Sequence, residues 1–296
     1  MPSSGRVCVI VGPDAIELGR KFAGDCLPGA SERVLSDTAQ AIEYSFRASD
    51  DLADQCSGIL KDLQSAGLDA MIGPAENRRK RLLVCDMDST VIEQECLDEL
   101  ADFAGLKAEV SAITERAMAG ELNFKEALTK RVSMLKGLSL DALQSCFDER
   151  ITLTSGAKEL VATMKANGAR CILVSGGFTF FTSRVAAAAG FEADFANVLL
   201  DDGAALKGEV QLPILGRDAK RQRLEIESEA QSLSLEDSLT MGDGANDLAM
   251  IQASGLGIAF HAKPIVAAAA DAAIVHGDLR TALYYQGYED GEIVGK

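Results

Sequence analysis

Two carboxylates stand two positions apart at the end of an apolar run: residues 82–85 (LLVC) lead into Asp86, Met87, Asp88, Ser89 and Thr90. Where a strand gives way to a loop, side chains at that spacing can both aim at one ligand. One can attack as a nucleophile while the other handles protons. A plain turn competes, because Asp, Ser and Thr often follow strands.

Three further segments are candidates for the same chemistry. Met241-Gly242-Asp243-Gly244-Ala245-Asn246-Asp247 also follows an apolar run and opens a helix. Its glycines let the backbone approach a ligand closely. Asp86 and Asp243 offer the hard oxygen donors that suit magnesium, which keeps several waters and takes only one or two carboxylates. An Asp-Gly turn with Asn246 as a helix cap competes here, and Asp247 fills the third glycine place of a dinucleotide fingerprint, which excludes that motif. Ser175-Gly176-Gly177 follows residues 171–174 (CILV). A hydroxyl and backbone N–H groups at a helix start can hold a phosphoryl oxygen, although a glycine turn would look the same. No G-x-S-x-G surrounds Ser175, which disfavours a nucleophilic serine. Lys220 alone would be a solvated lysine; it gains interest as the cation that a phosphoryl site requires. With only two histidines, His261 and His276, carboxylates are expected to carry any acid–base work.

The elements that must position these residues have their own pattern. From residue 81 onward, short apolar runs (82–85, 171–174, 238–241, 257–260, 272–275) alternate with helical stretches (157–166, 179–189, 219–230, 247–253). Continuous apolar strands separated by helices predict an α/β, Rossmann-like, mostly parallel sheet covered on both faces. Ligands then bind beyond the carboxyl ends of the strands, where the segments at Asp86, Ser175 and Asp243 fall, while Lys220 sits on a helix. Residues 93–149 interrupt the alternation with four helical stretches, too long for a loop, and predict a helical cap over about 92–155. Asn123 with Glu126 there resembles a capping box. A hairpin within about 199–213 would make a smaller flap. Residues 1–75 read as a small α+β domain of β-α-β-β-α-β order, a split βαβ module. Its second helix is expected over 51–66 from the rhythm of Leu52, Cys56, Ile59, Leu60 and Leu63. Residues 76–296 form the second domain. Between them, the basic run at 78–81 reads as a solvated approach to a strand.

Composition narrows the partners. A net charge of −16 makes nucleic acid and anionic membranes poor partners. Seven scattered cysteines without a C-x-x-C pair predict reduced thiols and a cytoplasmic setting. No apolar run is long enough to span a bilayer, and residues 1–12 lack a signal-peptide pattern.

The combination D-x-D-x-T, S-G-G, K and G-D-G-x-N-D, in that order over residues 81–290, resembles the haloacid dehalogenase superfamily of phosphatases. DMDSTVIEQECLDELA at 86–101, NFKEALTKRVSMLK at 123–136, VSGGF at 174–178 and GDGAND at 242–247 are similar in detail to its phosphoserine-hydrolysing branch. The first 75 residues loosely resemble the extra, ACT-like domain of some bacterial members.

The resemblance implies an expected mechanism. Asp86 would attack phosphorus and form an aspartyl-phosphate. Asp88 would protonate the leaving oxygen and then activate water. Mg2+ would be held by Asp86, the Asp88 carbonyl and Asp243. Ser175, Gly176 and Lys220 would bind phosphoryl oxygens, with Asn246 near the substrate and Asp247 orienting Lys220 or a metal-bound water. Arg131 would take the substrate carboxylate and Glu95 its ammonium. The expected substrate is the small molecule phosphoserine, at the last step of serine synthesis. Another small phosphate ester and a non-catalytic amino-acid sensor are the alternatives, and the sequence leaves room for a homodimer. Periodicity supports Arg131 independently, because with Phe124, Leu128 and Leu135 it falls on one helical stripe, and an arginine there needs an anion. A structural ion pair with a cap carboxylate competes. The stripe Leu97, Leu100, Ala101 and Ala104 places Glu95 on the polar side of its helix, as a solvated residue.

Overall fold

A computed structural model describes residues 5–27, 29–47, 52–118, 121, 123–216 and 218–295, with side chains placed for all of these except 52–57, 115, 117 and 118. The side chains of Leu52 and Cys56 therefore lie outside the described set.

The first unit runs β1 (Gly5–Val11), α1 (Ala15–Cys26), β2 (Ser31–Ser36), β3 (Ala41–Arg47), α2 (Leu52–Ser65) and β4 (Asp69–Pro74). Its strands form one sheet in the order β2-β3-β1-β4. β1 is antiparallel to both neighbours. The period of two in β1 sends alternate side chains to opposite faces. Cys8 and Ile10 join a cluster with Ala15, Ala23 and Leu63 from the helices. Val9 and Val11 join a cluster that contains Tyr284, Tyr285 and Tyr288 from the far end of the chain. Both faces of this sheet are thus buried.

The second unit begins with β5 (Leu82–Cys85). The chain then runs through α3 (Cys96–Phe103), α4 (Lys107–Met118), α5 (Phe124–Met134), α6 (Leu140–Arg150), α7 (Ala157–Ala166), β6 (Arg170–Phe178), α8 (Thr179–Ala189), β7 (Ala193–Asn197), β8 (Leu199–Asp201), β9 (Leu206–Val210), α9 (Ala219–Ala230), β10 (Ser238–Gly242), α10 (Leu248–Ile251), β11 (Leu256–Phe260), α11 (Pro264–Ala267), β12 (Ala272–Ile274) and α12 (Thr281–Tyr285). Six strands form a sheet in the order β12-β11-β10-β5-β6-β7, and every neighbouring pair is parallel. The chain moves from β5 to β6 and β7, then returns to the other side of β5 with β10. That reversal places the crevice at the carboxyl end of β5, where doubly wound sheets bind ligands.

The inserted helices leave and rejoin this unit through paired stems. Ile92 bridges Leu153 in antiparallel fashion, Glu93 N–H donates to the Thr152 carbonyl at 3.1 Å, and Thr154 N–H to that of Val91 at 2.9 Å. Asn123 and Glu126 form the capping box expected from the sequence. The β8–β9 hairpin attaches to the loop between α5 and α6: Gly137 N–H donates to Leu206 at 2.8 Å, and Leu140 N–H to Ala204 at 2.9 Å.

Three local expectations are corrected. Ser175, Gly176 and Gly177 lie in a bulged extension of β6, with the register against β7 shifting between Val174 and Phe178; α8 starts only at Thr179. The basic run is not simply solvated. Arg78 pairs with Glu43 and donates to the Tyr285 carbonyl, and the buried Lys80 donates to the Glu236 carbonyl at 2.7 Å. The junction between the two units supplies acceptors that no pattern within the run reveals. β7 was absent from the expected strands because ADFAN is not a continuous apolar run. Cys26, Cys85, Cys96, Cys146 and Cys171 are unpaired thiols. Among the described residues, no helix is long and apolar enough to cross a membrane.

Candidate active site

Three adjacent strands end at one crevice. β5 delivers Asp86, β6 delivers Ser175 and β10 delivers Asp243, and Asp86 N–H donates to the Met241 carbonyl at 2.9 Å. After Asp86 the backbone makes a wide turn over Met87–Val91, with Ser89 in the left-handed region at φ 53. This turn brings Asp88 back beside Asp86.

Lys220 forms the floor of the site. Its Nζ lies 2.6 Å from Asp86 Oδ1 and 2.5 Å from Asp247 Oδ1, and all three side chains are buried. Burial works against the ammonium charge, but Asp86 and Asp247 more than offset it and hold its pKa up. The other oxygen of Asp247 accepts the Gly244 N–H at 3.0 Å. Asp247 folds under the loop because Gly242 has no side chain; a Cβ there would lie 2.3 Å from Asp247 Cγ.

Asp86, Asp243 and Asp247 bring carboxylate oxygens within 4.8 Å of one another. Burial, and then the Asp247 charge, push the pKa of Asp86 well above the usual carboxylate range, with Lys220 opposing. Asp243 is raised by the same two causes. Three carboxylates facing one ammonium leave an excess of buried negative charge, and hard oxygen donors in that number fit a divalent metal ion. Relative to the expected ligands, Asp247 is the added member.

Asp88 is held from two sides. Cys96 N–H donates to its Oδ1 at 2.8 Å, and Ser175 Oγ donates to its Oδ2 at 3.0 Å. Burial raises its pKa, which suits a group that must carry a proton. Ser175 Oγ in turn accepts the Gly177 N–H at 2.8 Å. Gly177 is tightly enclosed, with room for a Cβ only 3.0 Å from Ser175 Oγ and 3.1 Å from Asp88 Oδ2. Asn197, which the sequence did not single out, donates to the Gly176 carbonyl at 2.8 Å and accepts the Leu215 N–H at 2.7 Å.

The cap completes the enclosure. A cleft lined by Asp86, Asp88, Ser175, Gly176, Asp243 and Asn246 on the sheet side also takes Glu95 and Arg131 from the cap. Arg131 Nε is buried without a hydrogen-bond partner, and burial lowers the guanidinium pKa. Among the described residues it forms no ion pair with a cap carboxylate, so the competing structural role lacks its partner. Glu95 is solvent-exposed, as its polar-side placement implies, and it also lines the cleft. It precedes the first turn of α3, and its Oε1 accepts a hydrogen bond from Ser89 Oγ at 2.8 Å. Partial desolvation against the cleft walls, and then the Asp88 charge, push its pKa up to about 7. Lys263, also unforeseen, lines the same cleft. Every expected site residue except Lys220 and Asp247 lines this cleft, and those two lie directly beneath Asp86.

Residues 83–252 match the family model of haloacid dehalogenase-like hydrolases. A phosphoserine phosphatase from Archaeoglobus fulgidus is 43% identical over 76% of this chain, which spans 65% of that relative's length. A phosphoserine phosphatase from Methanocaldococcus jannaschii is 40% identical over 70% of this chain and 98% of its own. The crystal structure of a probable phosphoserine phosphatase from Vibrio cholerae superposes with a TM-score of 0.76 at 30% identity, covering 97% of this chain and 87% of that one.

Proposed function

The chain belongs to the haloacid dehalogenase-like hydrolases, in the branch that holds the phosphoserine phosphatases, and from that premise we propose that it hydrolyses O-phospho-L-serine to L-serine and phosphate in serine biosynthesis. The observation that carries this reading is the division of the cleft. A buried aspartate–lysine floor suits a phosphoryl group, and an unpaired arginine with a nearby glutamate, supplied by the cap, suits the two charges of an amino acid.

The residues divide the work as follows. The Asp86 carboxylate attacks phosphorus, and the bond from phosphorus to the serine oxygen breaks. Asp88 gives its proton to that oxygen. Asp88 then takes a proton from the water that attacks the aspartyl-phosphate, which releases phosphate and restores Asp86. The Ser175 hydroxyl, the Gly176 N–H and Lys220 hold the phosphoryl oxygens, and Asp247 keeps Lys220 in place. Arg131 takes the substrate carboxylate through charge-assisted hydrogen bonds, Glu95 takes the ammonium, and Asn246 borders the substrate. Asp86, Asp243 and the Asp88 carbonyl would hold magnesium, with Asp247 beside them. The ion would neutralise charge on the transferring group. The cap excludes bulk water and limits entry to small esters. The unpaired thiols favour a reducing, cytoplasmic setting.

Phosphate release from a panel of phosphorylated metabolites with magnesium tests the substrate. Phosphoserine should lead the panel, and a clearly better ester would displace it. Asp86→Asn should abolish turnover, and a variant with full activity would refute the nucleophile.

A further inference from the structure

The N-terminal unit takes no part in the chemistry above, yet one of its side chains is linked to the cleft. Asp69 opens β4 and is buried, at 2% exposure. Among the described residues it pairs with no cation. Its Oδ1 accepts the N–H groups of Val275 at 2.7 Å and His276 at 3.2 Å, and its Oδ2 accepts that of Gly277 at 2.6 Å. A buried carboxylate satisfied only by main-chain donors fixes the turn at 275–277, and losing it would leave those donors unpaired. The turn has no slack. A Cβ on Gly277 would lie 2.4 Å from Thr281 Oγ1 and 2.9 Å from Asp69 Oδ2.

The turn in turn holds His261. The imidazole Nε2–H donates to the Gly277 carbonyl at 2.9 Å. The ring stacks on Phe260 with centroids 4.1 Å apart, and the His261 N–H donates to the Ile274 carbonyl at 2.8 Å. His261 adopts a left-handed backbone with φ 43, a conformation that persists in a non-glycine residue only when its surroundings enforce it. Two residues later Lys263 lines the cleft, and its N–H reaches the Asp243 carbonyl at 3.4 Å.

Charge gives that loop a task. The cleft lining carries Asp86, Asp88, Glu95, Asp98 and Asp243 against Arg131 and Lys263. Lys263 forms no ion pair among the described residues. A dianionic ester approaching a chain of net charge −16 needs a cation at the rim, and Arg131 is assigned to the carboxylate.

We propose that Asp69 is a positioning residue for the reaction. Through the 275–277 turn and the His261 ring, it sets the loop that presents Lys263 to the incoming phosphate, so the N-terminal unit helps to frame the substrate site. The inference rests on the phosphatase activity proposed above.

The test uses the full chain with Asp69→Asn, His261→Phe, Lys263→Met and the double variant Asp69→Asn/Lys263→Met. Steady-state kinetics on phosphoserine, calorimetric binding of inorganic phosphate and thermal melting are measured for each. Each single substitution should lower kcat/KM by roughly threefold to tenfold, mainly through KM, and weaken phosphate binding in step. The double variant should be no worse than Lys263→Met alone, because both changes act on one contact. Lower melting temperature with unchanged KM and phosphate affinity would reduce Asp69 to a fold-stabilising role and overturn the proposal. Multiplying losses in the double variant would also overturn it. If Asp69→Asn does not fold, His261→Phe decides, since it leaves the Asp69 contacts and the ring stack available. If the wild-type chain prefers another ester, the phosphoserine assignment fails separately, and the same comparison on that ester and on phosphate binding still decides the role of Asp69.

Discussion

Glu95 and Arg131 line one cleft with opposite charges, and among the described residues they close no ion pair on each other. Burial lowers the guanidinium pKa, opposed by the charge of Asp98 and then of Glu95; Glu95 stands before α3 and Arg131 within α5. Two unlike charges held apart in a cleft can be bridged by a ligand that carries both opposite charges. On the proposed function, this pair is what lets the cap select a zwitterion attached to the phosphate.

Arg131→Ala should therefore separate substrates. Loss of a desolvated carboxylate partner is expected to lower kcat/KM for phosphoserine by about a hundredfold. An aryl phosphate, with no carboxylate to place, should lose far less. Equal losses on the two esters, measured side by side, would make Arg131 structural.

The raised pKa of Glu95 predicts a pH signature. Only the ionised carboxylate can hold the ammonium, so KM for phosphoserine should fall as pH rises through about 7. An ester without an amino group should lack that limb, as should Glu95→Gln. The stability linkage has a definite sign: the folded value lies above the ordinary 4.5. The folded state therefore holds this proton more tightly, and stability from this group is lost as pH rises from about 4.5 through about 7. Melting curves of wild type and Glu95→Gln should converge below that window.

Removing the buried cation should affect both activity and stability. Lys220→Met leaves Asp86 and Asp247 buried without their partner, which costs about 3–5 kcal/mol when one side of a buried pair is lost. Magnesium should recover part of the lost melting temperature, because cation binding to the folded state adds stability. Turnover should fall by at least about a hundredfold, the usual scale for a lost electrostatic stabiliser. A variant that melts like the wild type without metal would show that the carboxylates had found other partners.

Gly242→Ala tests backbone packing rather than charge. The new methyl would collide with Asp247, which must swing away and release Lys220. Activity should fall sharply. Serine at this position should be at least as damaging, and near-normal turnover by the alanine variant would show that the loop can yield.

Much of this site was legible because its residues follow apolar strands. Asp86, Ser175 and Asp243 each close such a run, and parallel topology brings those ends together without further information. Glu95 is exposed as the helical stripe implies, but its place in the cleft was not legible from that stripe. Lys263 carried a signal that could have been used: it follows the apolar run of β11 and precedes Pro264, just as Asp86 and Asp243 follow β5 and β10. Asn197 had none, since its role depends on two backbone groups far apart in sequence. The burial of Arg78 and Lys80 likewise depends on acceptors far along the chain, Glu43 and the Tyr285 and Glu236 carbonyls, beyond the reach of local pattern.

The sheet of the first unit, buried on both faces, also bears on how such chains can be rearranged. Val9 and Val11 share a packed cluster with Tyr285 and Tyr288, and Arg33 donates to the Gly287 carbonyl. A chimaera that joined residues 1–75 to a foreign phosphatase would present an apolar sheet face to a surface not shaped for it. The reverse cut would bare a tyrosine-rich patch prone to self-association. Recombination should therefore succeed only when the joint near 285–288 travels with the sheet that covers it.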